Sequence, residues 1–124
     1  MLRMSLAVLL LAGACSKAAD PVSSAVEAWK KAGLESTKFA KVTAATLGGS
    51  CQTGVVSGLD VMLCEFGDAA LAKASEEKGL ALVGESTGAS LASGKLLLVV
   101  ADRSQADPGG KKLNQVTETF KTLN

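Results

Sequence analysis

Three cysteines, Cys15, Cys51 and Cys64, are the side chains in this sequence best suited to chemistry. A thiolate can act as a nucleophile, ligate a metal or pair oxidatively, and its surroundings decide which. The chain has no histidine and no tyrosine. Without His, the usual general base near neutral pH is missing, and so is the commonest metal-binding imidazole. A Ser-His-Asp triad or a His-bearing zinc site therefore cannot be built from this chain. Cys51 and Cys64 have no further Cys or His to complete a tetrahedral metal site, and their spacing is not the Cys-x-x-Cys of redox pairs. The carboxylates that could be exposed near one another are Asp60, Glu65, Asp102 and Asp107, with Arg103 beside them in sequence. Asp60 and Glu65 are an odd number of positions apart on one expected strand, so they point to opposite faces. Asp102-Arg103 reads as a solvated strand end. Ser57-Gly58 and Ser93-Gly94 read as turns rather than nucleophile elbows, which need a strand-to-helix Gly-x-Ser-x-Gly. No catalytic, cofactor-binding or metal-binding residue is assigned, and enzymatic activity is not expected.

The pair at 51 and 64 has a structural use. Ser57-Gly58 is a good two-residue hairpin loop between Gln52-Thr53-Gly54-Val55-Val56 and Leu59-Asp60-Val61-Met62-Leu63. With that loop, Val56 faces Leu59, Val55 faces Asp60, and Cys51 faces Cys64. Alternation from the turn makes Cys51 and Cys64 a non-hydrogen-bonded pair, with Cα atoms about 4.5 Å apart. That is at the close end of what a disulfide accepts. A Cys51–Cys64 disulfide is therefore expected, given an oxidising compartment.

Stepping outward from the hairpin, Asp20-Pro21 reads as a helix start. Val22, Ala25, Val26 and Trp29 then share one helical face over 21–32, and Gly33-Leu34 reads as the stop. Trp29, the one Trp, is expected in the core. Residues 35–50 leave two readings open: a short strand over 38–42, and either its extension or a helical turn over 43–47. Asp68 caps an expected second helix over 69–78, with Ala70, Leu71 and Ala74 on one face and Gly79-Leu80 as its stop. A second hairpin is expected over 87–101, turning at Ser93-Gly94. Its apolar run 96–101 suggests a central strand covered on both faces or by a partner. Asp107-Pro108 repeats the helix start, followed by a stripe of Leu113, Val116, Phe120 and Leu123. The sum is an α+β domain with order α-ββ-α-ββ-α and about four antiparallel strands, its helices packed on one face. A degenerate two-fold repeat and chance in a Gly-, Ala- and Ser-rich chain both account for the recurrence of Thr53-Gly54 as Thr87-Gly88.

The compartment is addressed at the other end. Arg3 precedes an uncharged run over 4–14 that ends in small residues before Cys15, the pattern of an export signal. The run has eleven residues, against roughly 20 for a membrane-spanning helix. Leu11-Ala12-Gly13-Ala14-Cys15 resembles the lipobox of bacterial lipoproteins, with Ala12 standing where Leu is commonest. The resemblance covers the first fifteen or sixteen residues only. It implies removal of 1–14, lipidation of Cys15, a short tether over 15–19 and one globular domain over 20–124. It also implies a place in the cell envelope, and Ser16 after the Cys implies the outer membrane, facing the periplasm. If Cys15 were not lipidated, the protein would be secreted and soluble. Export, on either reading, supplies the oxidising compartment that the hairpin cysteines need.

After residue 14 the chain carries 12 basic and 12 acidic residues. No basic patch marks nucleic acid as a partner. The expected partners are the membrane, through the lipid, and another envelope protein bound to a sheet face or edge. A small-ligand carrier and a purely structural envelope component are the rival roles.

Overall fold

The computed structural model describes residues 20–43 and 47–123. Cys15, the signal-like run and the tether lie outside the described residues. The core element is an open five-stranded antiparallel sheet in the order β1-β2-β3-β5-β4. Its strands are β1 (Ala40–Val42), β2 (Ser50–Val56), β3 (Leu59–Glu65), β4 (Thr87–Ser93) and β5 (Leu96–Asp102). The helices are α1 (Pro21–Lys31), α2 (Ala69–Ala74), α3 (Glu76–Val83) and α4 (Lys111–Lys121). Only Ser75 separates α2 from α3, so the helices form three units. The α+β class is as expected, with a fifth strand where 38–42 had been left open.

The first hairpin has the expected register, from Val56 opposite Leu59 to Cys51 opposite Cys64. Ser57 and Gly58 both have positive φ, as a type I′ turn requires. The sulfurs of Cys51 and Cys64 lie at disulfide distance, 2.03 Å, and their Cα atoms are 4.0 Å apart. Both residues are buried.

The second hairpin turns one residue later than expected. Ser93 pairs with Leu96, which leaves Gly94-Lys95 as the loop. Gly94 alone takes positive φ there, the type II′ pattern with Gly at its first central position. Moving a two-residue turn by one position moves each cross-strand partner by two, so Gly88 lies opposite Ala101 instead of Val99 and β4 keeps its faces. Gly54 lies on one face of the sheet and Gly88 on the other. The helices that precede the two hairpins also pack on opposite faces, so the two halves do not form a repeat.

The helices cover both faces of the sheet, not one. On the first face, α1 and α4 pack with Val56, Leu59, Val61, Leu63, Leu96, Leu98 and Val100 around Trp29 and Phe120. On the second, Ala72 of α2 and Val83 of α3 pack with Cys51, Cys64, Phe66, Leu97, Val99 and Ala101. The cause is β5, which is buried along its whole length. A strand apolar on both sides needs cover on both sides.

Three local differences follow from packing. Gly79 does not stop the second helix: α3 runs through it to Val83, and Gly84, at φ +65°, ends it. The buried stripe is Ala72, Ser75, Gly79 and Val83, while Ala70, Leu71 and Ala74 are exposed. Small residues let this helix lie close to β4, where a Cβ on Gly79 would overlap Ser90 Oγ. At the C-terminal helix, Asp107 caps from a distance. The helix begins at Lys111, and Asp107 Oδ2 accepts from the Leu113 N–H at 2.8 Å across the Pro108–Gly109–Gly110 turn.

Trp29 is fully buried between the first-face helices. Its Nε1–H donates to the Val116 carbonyl at 3.0 Å, and its ring stacks on Phe39 with centroids 6.3 Å apart. A bulge supplies Phe39. Ser36 faces Val56 and Ala40 faces Thr53, so residues 37–39 oppose only Gly54 and Val55. Thr37 Oγ1 accepts from the Val55 N–H at 2.9 Å in place of a backbone carbonyl. The Phe39 ring then covers Gly54, where any Cβ would lie 2.6 Å from a ring carbon.

Candidate functional site

The second face is only half covered. The α2–α3 unit lies over β4 and β5, and Leu47 and Phe66 pack at the Cys51–Cys64 end of β2 and β3, which leaves the turn-side part of β2 and β3 without a helix over it among the described residues. Alternation fixes what this open half presents: Ala40 and Val42 from β1, Thr53 and Val55 from β2, and Asp60 and Met62 from β3. Val42 is 38% exposed. Where the open half meets α3, a groove of about 340 Å³ forms, lined by Thr53, Val55, Asp60, Met62, Leu82, Val99, Ala101 and Arg103. Its floor is apolar and comes from three adjacent strands. Its wall is Leu82 on α3, itself 38% exposed. The Gly79 N–H bonds the Ser75 carbonyl at 3.0 Å, so the helical phase carries through the break. That phase puts Leu71 and Lys78 on the same flank as Leu82.

One polar pair closes an end of the groove. Arg103 Nε lies 3.6 Å from Asp60 Oδ2, both side chains about half exposed. Arg103 Nη2 also donates to the Leu82 carbonyl at 2.8 Å. The guanidinium thus spans from β3 to the end of α3, and it is held in place by a neutral acceptor as well as an ion. A half-exposed ion pair contributes little stability, so the pair matters here mainly as chemistry at the rim.

Both free edges of the sheet are guarded. β1 is three residues long and exposed, with Lys41 at its centre. Short edges and edge lysines discourage strand addition. On β4, the Ala92 N–H is taken by Glu76 Oε2 at 2.7 Å, and Glu76 Oε1 is bridged to Lys73 at 3.2 Å. The sheet edge, one of the two surfaces expected to meet a partner, is therefore the weaker of the two. The face is the stronger, though its open part is half of a helix-bearing face rather than a helix-free one.

The carboxylates singled out in the sequence do not converge. Asp60 and Glu65 lie on opposite faces, with cross-strand partners Ala101 and Leu96. Asp102 is not a solvated strand end. It is buried, and its two oxygens accept from the Ala106 and Asp107 N–H groups at 2.8 and 2.9 Å. This clasps the loop that carries Gln105 at φ +57°. Asp107 is buried too, and its carboxyl is held below the usual carboxylate range, chiefly by the Leu113 N–H, with smaller help from the N–H groups of Lys112 and Lys111. Both groups organise the approach to α4. Among the described residues no group of three or more His, Cys, Asp or Glu could hold a metal ion, and no helix is long and apolar enough to cross a membrane.

The groove had no signal in the sequence. Met62, Leu82 and Arg103 come from three elements, and their meeting depends on strand order and on the side of the sheet that α3 takes. No family model matches the chain, and neither a curated protein nor a solved structure does.

Proposed function

We propose that this protein is a lipid-anchored domain of the bacterial cell envelope that binds a partner through the open half of its second sheet face. The observation that carries the binding role is the apolar groove at the boundary of that half. An uncovered apolar concavity beside a fixed polar pair is what a recognition surface needs, and a purely structural domain has no use for it. The anchor rests on the resemblance of Leu11-Ala12-Gly13-Ala14-Cys15 to a lipobox. Two or more acyl chains give stable anchoring. Four residues separate Cys15 from Asp20, a reach of about 15 Å. Since α1 is docked on the domain through Trp29, the domain on this reading works close to the lipid headgroups. The groove volume also lies in the range of small-molecule sites, which favours a small-ligand carrier as the second reading.

Two measurements separate the parts. Fractionation of cells carrying Cys15→Ala tests the anchor: the variant is expected in the soluble fraction, and retention in the membrane pellet would refute lipidation as the tether. Site-specific photocrosslinking from position 53 or 42 in intact cells tests the surface. A defined adduct is expected from these positions and not from position 118 on the outer side of α4. Equal, diffuse labelling from all three would leave no binding face.

A further inference from the structure

We infer that the groove's occupant is a neutral, apolar peptide segment of another envelope protein, lying in extended form across β2 and β3 with one backbone amide set against Asp60 and Arg103. This rests on the reading of the open half-face as a binding surface and names what binds there. Three features on the rim select that chemistry. At the end of the groove that they close, the charges of Asp60 and Arg103 offset each other, so that end has no net charge to attract an ion, and an anionic or cationic head there would bring one of the two a like charge, while Lys78 stands along the α3 flank outside the groove lining. The pair nevertheless offers both roles a peptide group requires. Asp60 has a second oxygen that accepts no hydrogen bond from the described residues, and Arg103 has N–H groups beyond those directed at Asp60 and the Leu82 carbonyl. An amide supplies one donor and one acceptor, which matches them. The Leu82 contact also keeps the guanidinium in position, so little ordering is needed when the amide arrives.

The floor fits the same chemistry. Val55 and Met62, half-buried, offer apolar surface without a hydrogen-bonding side-chain group, over the buried Val99 and Ala101, and Met62 is a side chain that adapts to different shapes. Thr53, the one hydroxyl in the lining, sits beside them. Strand addition is the usual way for a sheet to take an extended peptide, but Lys41 guards one edge here and Glu76 the other. A peptide must therefore lie on the face. The valley between the Leu71–Lys78–Leu82 flank and the sheet is where it fits, with specificity set by apolar side chains and one amide.

The test uses the full mature protein reconstituted in phosphatidylethanolamine/phosphatidylglycerol nanodiscs. The probes are a leucine- and alanine-rich hexapeptide capped at both ends, the same peptide with a free carboxylate, and dodecanoate. Binding is read by biolayer interferometry, and the site by a diazirine analogue of leucine in the capped peptide, mapped by mass spectrometry. The capped peptide is expected to bind best and to label the segments around Thr53 and Met62. Met62→Lys should weaken it by about tenfold or more, since a buried apolar contact is replaced by a charge. Asp60→Asn, which leaves the rim positive, should shift the preference toward the free-carboxylate peptide. Tighter binding of dodecanoate than of the capped peptide would overturn the inference in favour of an anionic amphiphile. Concentration-dependent self-association lost in Met62→Lys would overturn it in favour of a second copy. Binding that Met62→Lys leaves unchanged would place the peptide elsewhere. Because both proteins are compared in nanodiscs, partition of peptide into lipid is common to them, and failure of the anchor would show as failure to enter the nanodiscs, before any binding is read.

Discussion

Gly79→Ala tests the packing that sets the groove wall. In an exposed helix this substitution stabilises by about 1 kcal/mol, because Ala is the better helix former. Here the new Cβ would overlap Ser90 Oγ, lie 2.8 Å from Val99 Cγ2 and lie 3.3 Å from Ser90 Cβ. Overpacking a well-filled interface costs about 1–3 kcal/mol. The two effects oppose, and the second is expected to win by up to about 2 kcal/mol, because the obstruction includes a strand side chain that cannot swing clear as a long surface residue could. Ser90→Ala is the control. Its hydroxyl is buried and has no hydrogen-bond partner among the described residues, so removing it should be neutral or stabilise by up to about 1 kcal/mol. The double variant should recover part of the loss, not all, because Val99 Cγ2 remains in the way. Urea unfolding followed by circular dichroism, with both cysteines kept oxidised, gives the four midpoints of the cycle. A single variant at least as stable as the parent would refute the close approach of α3 to β4. A cycle with no coupling between positions 79 and 90 would refute their contact. Either result would also move the Leu82 wall.

Three further outcomes follow. Replacing Cys51 and Cys64 together by Ala should cost about 3 kcal/mol, model-dependent, for a crosslink spanning 13 positions; a urea midpoint equal to that of the parent would show that the crosslink is not formed. Asp107→Asn should destabilise the protein at neutral pH, with a difference that closes in acid. Its carboxyl titrates lower in the folded than in the unfolded chain, so its contribution is fully present above the unfolded value and is lost as pH falls through the folded one; a difference independent of pH would mean that the N–H groups of α4 do not hold the charge. Trp29→Phe should cost about 1–3 kcal/mol, because it leaves the Val116 carbonyl without its side-chain partner and opens a gap beside Phe39; thermal unfolding by circular dichroism reads this without the lost fluorophore.

What could be read from the chain depended on how local its causes were. The first hairpin was legible because its turn residues and its cysteines lie within one short stretch, and a register is set by its turn. The amphipathic faces of α1 and α4 were legible because large apolar residues mark them at helical spacing. The middle helix was misread for the opposite reason. Its buried stripe consists of Ala72, Ser75, Gly79 and Val83, and three of these carry little hydrophobic signal. The exposed Leu71 drew the expected face to the wrong side. Gly79 looked like a stop because a glycine chosen for close packing and one chosen for a left-handed cap are identical in sequence.

The second hairpin shows why the site was harder to see than the fold. Ser93-Gly94 and Gly94-Lys95 are both acceptable loops, and they differ by one position. The choice slides β4 by two residues along β5 and keeps its faces, so with either loop Gly88, Ser90 and Ala92, not Ala89 and Leu91, face the α2–α3 unit. Only the first set is small enough to let that helix lie against β4. With the helix drawn over β4 and β5, its cover runs out before β1 and β2. The open half-face therefore arises from the packing of small residues far from it in sequence. Asp60 and Met62 are in the well-patterned hairpin, but they become part of a groove only because Gly79 and Ser90 meet on the other side of β5. A substitution that pushes α3 away from β4 should thus alter binding at the groove without touching any residue that lines its floor.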